Sequence, residues 1–176
     1  MFKTLIHCAL LCEAQALINY YKLSLDRTKP NQATHIKIYS NDTLVIVISG
    51  VGKINTQNTL KYIFKNYQIS KAINLGIAGC VDENIKIGSL FCTNKKLENL
   101  NHARITTLDT ICTNKNQIST VLVDMESQYF DEIASFHLED IYIIKVVSDH
   151  LEEQIPTKSF VIQLIQNTFK EWKHLL

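Results

Sequence analysis

Apolar residues along the chain follow two alternating periods, one typical of strands and one typical of helices. Short runs that are apolar or strictly alternating predict strands, and these lie at 2–9, 35–39, 43–48, 71–75, 89–93, 104–108, 120–123 and 141–147. Longer stretches with apolar residues three or four positions apart predict amphipathic helices, and these lie at 13–23, 54–64, 126–136 and 159–175. Polar segments at 26–32, 94–102 and 113–119 predict surface loops.

The order of these segments predicts the class of fold. Strands that alternate with helices are typical of an α/β domain with a largely parallel sheet. The TLVIVI run at 43–48 is almost wholly apolar, as in a strand covered on both faces. No repeat, linker or low-complexity tract divides the chain, and 176 residues suffice for one domain. We therefore expect a single domain over residues 1–176.

Composition and charge exclude several classes of function. Hydrophobic residues make up 46% of the chain and charged residues 20%, which argues against global disorder. The formal charge of +1 supplies no field that would attract nucleic acid or an anionic membrane surface. No apolar run approaches the roughly 20 residues that a membrane helix needs. We expect neither a nucleic-acid partner nor membrane association.

The five cysteines indicate the compartment. Their number is odd, their spacing is irregular and no C-x-x-C pair occurs, which fits neither a disulfide framework nor a zinc ribbon. The first residues resemble a short signal peptide, but no small-residue cleavage site follows them. We expect reduced, mostly buried thiols in a cytoplasmic protein.

The five glycines lie within 39 residues, at or near the ends of predicted strands. They are Gly50, Gly52, Gly76, Gly79 and Gly88. In an open α/β sheet, the loops at the carboxyl ends of the strands form the ligand crevice. Glycine at such a place allows a sharp turn or a close approach of the backbone to a ligand. Ordinary turns are the alternative interpretation.

Several common catalytic motifs are missing. Gly50 and Gly52 match the first two glycines of a dinucleotide fingerprint, but Asn55 stands in place of the third. No G-x-x-x-x-G-K-[ST] loop, no H-x-x-x-H pair and no G-x-S-x-G elbow occurs. A P-loop nucleotide-binding protein and a serine hydrolase with a nucleophile elbow are therefore excluded.

Several stretches, taken in order, resemble the nucleoside phosphorylase and nucleosidase superfamily. Each matches a family motif: ISGVGKIN at 48–55 resembles S-G-[IV]-G-K, INLGIAGC at 73–80 with IGSL at 87–90 resembles I-N-x-G-x-A-G-G with K-[IV]-G-D, VDMES at 123–127 resembles V-D-M-E-[SG], and VVSD at 146–149 resembles [IV]-S-D. The opening CALLCEA at 8–14 is similar to the C-A-L-x-x-E-A start of some members. The order and compatible spacing make the signal specific, and VDMES is its sharpest part.

Within that superfamily, the chain most resembles the methylthioadenosine and adenosylhomocysteine nucleosidases. Those enzymes cleave the N-glycosidic bond of a purine nucleoside with water. The resemblance implies a three-layer αβα fold with a largely parallel or mixed central sheet. It also implies a nucleoside substrate, no metal or organic cofactor, and a homodimer.

The resemblance implies roles for individual residues. Glu13 matches the glutamate that activates the attacking water, and Glu126 matches the glutamate that binds the ribose hydroxyls. Asp149 matches the aspartate that protonates or hydrogen-bonds purine N7, with Ser148 orienting it, and Met125 would pack under the sugar. The remaining matched positions would line the base and ribose pocket: Ser49, Gly50, Gly76, Ile77, Ala78, Gly79 and Val123.

The chemistry itself explains why three acids are needed. A carboxylic acid that faces the leaving base must hold its proton near neutral pH, so burial must raise its pKa. A second carboxylate must activate water on the other side of the sugar, as in inverting glycoside hydrolysis. A third, paired to sugar hydroxyls, stabilises the developing positive charge. The YIIKVV run before Ser148 and Asp149 predicts dry surroundings for the acid.

Each of these acids also has a purely structural interpretation. Glu13 stands in the first turn of a predicted helix, where the helix dipole stabilises an acid in any case. Glu126 begins another predicted helix, which Asp124 would cap. Ser148 and Asp149 would cap a turn.

The chain departs from the family pattern in length and in arginine content. It is shorter than usual members, mainly between Ser89 and Val123, and lacks their Gly-Asp segment near the base. The phosphorylase branch needs an anion site, yet the only arginines are Arg27 and Arg104, and neither is near the glycine motifs in sequence. We therefore expect water rather than phosphate as co-substrate. A phosphorylase and a non-catalytic nucleoside binder are the alternatives.

Overall fold

A computed structural model of the chain describes residues 2–26, 36–152 and 154–176. Its strands are β1 (Lys3–Cys8), β2 (Ser24–Leu25), β3 (Lys37–Ser40), β4 (Leu44–Ile48), β5 (Ile69–Cys80), β6 (Leu90–Cys92), β7 (Ile105–Thr107), β8 (Leu122–Asp124) and β9 (Ile141–Asp149). Its α-helices are α1 (Leu11–Tyr20), α2 (Lys53–Asn66), α3 (Ser127–His137) and α4 (Lys158–Trp172). Short 3-10 segments lie at Lys115–Gln117 and Lys173–Leu175.

The described strands form one nine-stranded mixed sheet with β5 at its centre. β5 runs parallel to β1 on one side and to β9 on the other. β4 pairs parallel with β1, and β7 pairs parallel with β8. β2–β3, β3–β4, β5–β8 and β6–β9 are antiparallel pairs. The α/β class and the mixed sheet expected from the sequence are confirmed.

Helices cover both faces of this sheet. α1 and α4 pack together on one face, where Leu17 and Trp172 are fully buried in a single apolar cluster with strand residues. α2 and α3 cover the other face, where Leu60 and Phe130 belong to a second cluster. Because successive side chains of a strand point to opposite faces, each buried strand contributes to both clusters. The arrangement is the predicted three-layer αβα order.

The helix predicted at 13–23 ends earlier than its apolar spacing indicates. α1 stops at Tyr20, and Lys22 adopts a left-handed backbone with φ of 51°. This conformation lets the Leu23 N–H donate to the Ile18 carbonyl at 2.9 Å, as at many helix ends. Leu23 is then buried in the core, so it continues the apolar pattern without continuing the helix.

Two other departures concern strands. β5 does not end at 75, as predicted, but continues through Gly76 and Gly79 to Cys80. β2 was not predicted, because its two exposed residues carry no pattern and form a strand only by pairing with the edge of β3. The loop predicted at 26–32 lies outside the described residues except for Asp26, as does the first residue of the predicted 35–39 strand.

The packing of α3 can be tested with two phenylalanines of the same helix. Phe130 is fully buried, whereas Phe136 is 85% exposed. We expect Phe130→Ala to lower the free energy of unfolding by about 3–5 kcal/mol, because it leaves a cavity in the core. Phe136→Ala should change it by less than about 0.5 kcal/mol. Equilibrium unfolding in urea measures both values, and equal effects would contradict this placement of α3.

Candidate functional site

Most of the residues singled out in the sequence lie near the carboxyl ends of the central strands. Glu13 stands in the first turn of α1, just after β1, and Ser49 and Gly50 directly follow β4. Glu126 follows β8 and immediately precedes α3, and Asp149 is the last residue of β9. β5, which carries Gly76 to Gly79, passes between these elements. The fold therefore gathers chain segments that are far apart in sequence.

Glu13 is a buried carboxyl group held in place by backbone N–H groups of the segment before α1 and of β5. Its side chain is only 4% exposed. Oε2 accepts a hydrogen bond from the Leu10 N–H at 2.9 Å, and Oε1 accepts one from the Ile77 N–H at 3.0 Å. Burial raises the pKa of Glu13 above its ordinary value, although the nearby Lys145 ammonium and these N–H donors act in the opposite direction. Glu13 is thus a fixed carboxyl group with enhanced basicity.

Glu126 is a second buried carboxyl group, 8% exposed, at the start of α3. Its Oε1 accepts a hydrogen bond from the Gly52 N–H at 2.8 Å, which ties the turn before α2 to the site. Burial raises the pKa of Glu126 to about 7, against the opposing effect of Lys145. The side chain therefore exchanges its proton near neutral pH.

Lys145, which the sequence analysis did not select, lies at the centre of this acidic cluster. It is 2% exposed, and its Nζ is 2.8 Å from Asp124 Oδ2. Burial would lower the pKa of Lys145, but the carboxylates of Asp124, Glu126 and Glu13 keep it above the ordinary value. Conversely, burial would raise the pKa of Asp124, but Lys145 and neighbouring hydroxyl donors keep it below its usual range. Lys145 and Asp124 form a buried ion pair.

The sequence did contain a signal for Lys145. It is the single charged residue of the apolar YIIKVV run, and a charge inside a doubly covered strand must find a buried partner. That partner, Asp124, was interpreted only as a helix cap. The N-cap residue of α3 is Glu126, but Asp124 accepts the Ser127 N–H at 2.9 Å at the start of that helix and also forms the ion pair with Lys145.

A network of hydrogen bonds connects Asp124 with buried polar residues of neighbouring strands. Its Oδ2 accepts from Ser127 Oγ at 2.5 Å, and its Oδ1 accepts from Thr107 Oγ1 at 2.7 Å. Asn74 Oδ1 lies 3.4 Å from Ser127 Oγ, and Asn74 Nδ2 lies 2.9 Å from His7 Nδ1. Burial, assisted by Lys145, lowers the pKa of His7 to about 3, so the imidazole is neutral. Pattern analysis could not find this network, because its members come from four separate segments of the chain.

The glycines of β5 create the space that these charged groups occupy. A Cβ atom at Gly76 would lie 2.7 Å from Glu13 Oε1 and 3.3 Å from Lys145 Nζ. A Cβ atom at Gly79 would collide with Leu151 Cδ2 and would lie 3.3 Å from Asp149 Oδ1. The alternative interpretation of ordinary turns is wrong for these two glycines, because they lie within β5. Their function is close approach of side chains to the strand.

Asp149 lies at the other end of this glycine-bearing part of β5. The register of β5 and β9 shifts so that Ala78 pairs with Val147 and Gly79 pairs with Asp149, which leaves Ser148 as the extra residue of a bulge. Such bulges re-aim a side chain at the end of a strand. Ser148 Oγ donates to Asp149 Oδ2 at 2.6 Å, consistent with an orienting role.

The dry surroundings expected for Asp149 are only partly present. The residue is intermediate in exposure, and the Leu151 N–H donates to its Oδ1 at 2.9 Å. A cavity of about 370 Å³ opens beside it, and Ile87, Ile155 and Phe160 line that cavity together with polar residues. The cavity therefore has apolar lining residues together with the carboxyl groups of Asp149 and Glu152.

The remaining residues from the sequence analysis contribute mainly backbone. Ser49 is buried, and its hydroxyl donates to the Gly50 carbonyl at 2.7 Å, while Gly50 has φ of 84°. Ile77 supplies the N–H that Glu13 accepts, and Val123 pairs with Gly79 in the sheet. Ala78 is buried in β5, and Met125 is partly buried beside Glu126.

Two further features of the described residues bear on function. They contain no cluster of three or more His, Cys, Asp or Glu side chains arranged to hold a metal ion. None of the helices in residues 2–26, 36–152 and 154–176 has both the length and the apolar character needed to cross a membrane.

Comparison with known proteins identifies a family. The family model described as "Phosphorylase superfamily" matches residues 3–138. A 5'-methylthioadenosine/S-adenosylhomocysteine nucleosidase from Buchnera aphidicola is 34% identical over 89 residues, which cover 48% of this chain. That match spans only 34% of the length of the Buchnera protein.

Solved structures share the fold over almost the whole chain. A crystal structure of 5'-methylthioadenosine/S-adenosylhomocysteine nucleosidase from Helicobacter pylori superposes with a TM-score of 0.82 at 13% identity, covering 99% of this chain and 97% of that one. The futalosine hydrolase of Helicobacter pylori gives a TM-score of 0.80 at 14% identity, with 99% and 97% of the two chains covered. The nucleosidase-type fold expected from the sequence is confirmed.

The pKa of Glu126 generates a prediction about stability and pH. Between the ordinary value of 4.5 and about 7, the folded protein keeps a proton that the unfolded chain has lost, so the free energy of unfolding falls as pH rises. Glu126→Gln carries no titrating proton, so it removes this fall in stability with pH. Its amide oxygen can still accept the Gly52 N–H. We expect the variant to gain roughly 3 kcal/mol relative to the parent protein between pH 4.5 and 7.5. Urea unfolding across this range measures the gain, with Glu171→Gln on the exposed face of α4 as control. An identical pH dependence in both variants would contradict the burial of Glu126.

The ion pair at the centre of the site generates a second prediction. Lys145→Met leaves Asp124 as a buried charge without its partner, and such a loss costs about 3–5 kcal/mol. Adding Asp124→Asn removes that charge, so the double variant should be less destabilised than the sum of the two single variants. Urea unfolding of the four proteins gives the coupling energy. Simple additivity would show that the two groups do not interact.

Proposed function

The chain belongs to the phosphorylase superfamily, and we propose that it cleaves the N-glycosidic bond of a purine nucleoside with water. One observation carries the proposal. Two carboxyl groups lie beside one glycine-bearing stretch of β5, Glu13 beside Gly76 and Asp149 beside Gly79. A third, Glu126, lies within electrostatic reach of Glu13 and Lys145. The two glycines are three positions apart on the strand, which corresponds to a distance of roughly 10 Å. A nucleoside placed along this stretch would have its sugar near one end and its base near the other.

Glu13 is proposed to activate the attacking water. Its two oxygens each accept one backbone N–H, which leaves further lone pairs for a water molecule. Because burial raises its pKa, the carboxylate is a stronger base than one in water, and efficient proton acceptance needs that match. Rigid anchoring by the Leu10 and Ile77 N–H groups would fix the direction from which water approaches the sugar.

Glu126 is proposed to hold the ribose. It faces the cluster from the start of α3, and its second oxygen is free of the bond to Gly52. Hydrogen bonds from two sugar hydroxyls to this carboxylate would orient the ring. As the glycosidic bond breaks, positive charge develops on the sugar, and a nearby buried carboxylate stabilises it.

Asp149 is proposed to donate a proton to the leaving base. The bulge at Ser148 directs its carboxyl group toward the cavity that Ile87 and Phe160 line. A flat purine would fit against those apolar side chains and displace water from Asp149. In the reaction, the water oxygen bonds to C1′, the bond from C1′ to N9 breaks, and its electron pair leaves with the base. Asp149 supplies the proton to N7, and Glu13 takes the proton from water.

Water is favoured over phosphate by the charge of the site. Asp124, Glu13 and Glu126 surround the single ammonium of Lys145, so an incoming phosphate would meet excess negative charge. Arg104 does not contact this cluster but lines a different cavity. This arrangement supports hydrolysis rather than phosphorolysis.

The proposed substrates are adenosine-type nucleosides such as methylthioadenosine or adenosylhomocysteine. The name of the Buchnera relative and the names of the structural neighbours support this class, as do the motifs that match the family. The homodimer expected from the family resemblance remains a prediction.

The test incubates the protein with a panel of adenosine- and inosine-type nucleosides, with and without phosphate. Chromatography measures the free base that each reaction releases. Base released without phosphate is the expected result. Release only with phosphate would replace hydrolysis by phosphorolysis. No release by a folded protein under either condition would refute catalysis and favour a nucleoside binder.

Asp149→Asn provides the matching variant. We expect at least a roughly tenfold loss of kcat, because the amide cannot donate the proton that the leaving base needs. Glu152→Gln, which changes another side chain lining the same cavity, should have a much smaller effect. Equal activity of Asp149→Asn and the parent protein would mean that Asp149 is only a structural cap.

A further inference from the structure

A second cavity, of about 550 Å³, lies on the other side of Asp124 from the candidate site. Its wall is formed by the first turns of α3, by β7 with the residue before it, and by the residues just after β6. Thr107 and Ser127 line it while also donating to Asp124, so the two sites share a wall. Its volume is within the range of small-molecule sites.

Most polar groups in this wall already have protein partners. Thr106 Oγ1 and Thr120 Oγ1 lie 2.8 Å apart. The Asn94 amide accepts from the Ile143 N–H at 2.9 Å and donates to the Ile141 carbonyl at 3.1 Å. Gln128 Nε2 donates to Glu132 Oε1 at 2.9 Å. These groups shape the cavity and are not available for a ligand without losing a bond.

Three groups remain uncommitted within the part of the chain that the structure describes. Arg104 forms no ion pair there, nor does the side chain of Asp131, although both line the cavity. Thr93 is 9% exposed, yet its Oγ1 has no hydrogen-bond partner. A buried hydroxyl without a partner carries a desolvation penalty that a ligand acceptor would remove.

These three groups are complementary to one kind of ligand. Arg104 offers planar donors suited to a carboxylate, and Asp131 offers acceptors suited to an ammonium. Burial, together with the adjacent Glu132, raises the pKa of Asp131, so a ligand cation would stabilise its ionised form. An anion alone would be repelled by Asp131, and a cation alone by Arg104.

We propose that this second cavity binds the α-amino-acid group of a small zwitterionic molecule. The carboxylate lies against Arg104 and the Thr93 hydroxyl, and the ammonium lies against Asp131. Ile105 and Ile143 line the same cavity and provide apolar contact for the remainder of the ligand. The site is independent of the proposed hydrolase activity.

The test is direct binding to the full chain. L-phenylalanine, L-leucine and L-glutamine are titrated, with 3-phenylpropionate and 2-phenylethylamine as analogues that carry only one of the two charges. Chemical-shift changes in NMR spectra give the dissociation constant, and thermal unfolding gives an independent measure. At tenfold excess over the dissociation constant, a ligand should raise the midpoint of unfolding by about 3–6 °C.

Variants assign the binding to this cavity. We expect Arg104→Gln and Asp131→Asn each to weaken binding of the best amino acid at least tenfold, and Thr93→Val to weaken it by a smaller factor. Lys61→Gln and Glu171→Gln make the same kinds of change at exposed positions on α2 and α4, and they should bind as the parent protein does.

Several outcomes would overturn the proposal. One is the absence of binding by any of the three amino acids at 10 mM or below. Another is equal affinity for an amino acid and its single-charge analogue. A third is tight binding of inorganic phosphate that depends on Arg104 but not on Asp131, which would identify an anion site instead.

Discussion

The ammonium group of Lys145, enclosed by carboxyl groups, is the interaction on which the rest of the site depends. A buried charge without compensation is strongly unfavourable, so Asp124 must lie against Lys145 and must itself be held by hydroxyl groups. Glu13 and Glu126 then lie in the field of the same cation, which limits how far burial can raise their pKa values. One cation therefore allows several acids to be buried together in a single crevice.

β5 supplies the geometry that this charge arrangement needs. Its backbone passes between β1 and β9, and its two glycines remove the Cβ atoms that would collide with Glu13 at one end and with Leu151 at the other. The bulge at Ser148 adds the local change of direction that places Asp149 beside Gly79. As a result, the buried carboxyl group of Glu13, on α1, and the more exposed one of Asp149, on β9, lie beside different positions of β5. Strand-held groups are positioned more precisely than groups on loops.

The segment between β6 and β8 forms much of the wall of the second cavity. It contributes Arg104 and the hydroxyl groups of β7 to the polar cavity. Thr107 and Ser127 touch this cavity on one side and Asp124 on the other. A ligand bound there would therefore lie one side chain away from the ion pair that organises the candidate site.

The α/β class, the four helices and nearly all the strands could be predicted from the sequence, because their apolar periods are local properties of the chain. Motif order and spacing also selected Glu13, Glu126 and Asp149 as candidate site residues without any coordinates. The folded chain was needed to show that Gly76 and Gly79 lie inside a strand and that Lys145 pairs with Asp124. Close approach and charge compensation are relations between segments that are distant in the chain, so no local pattern can encode which partner each residue meets.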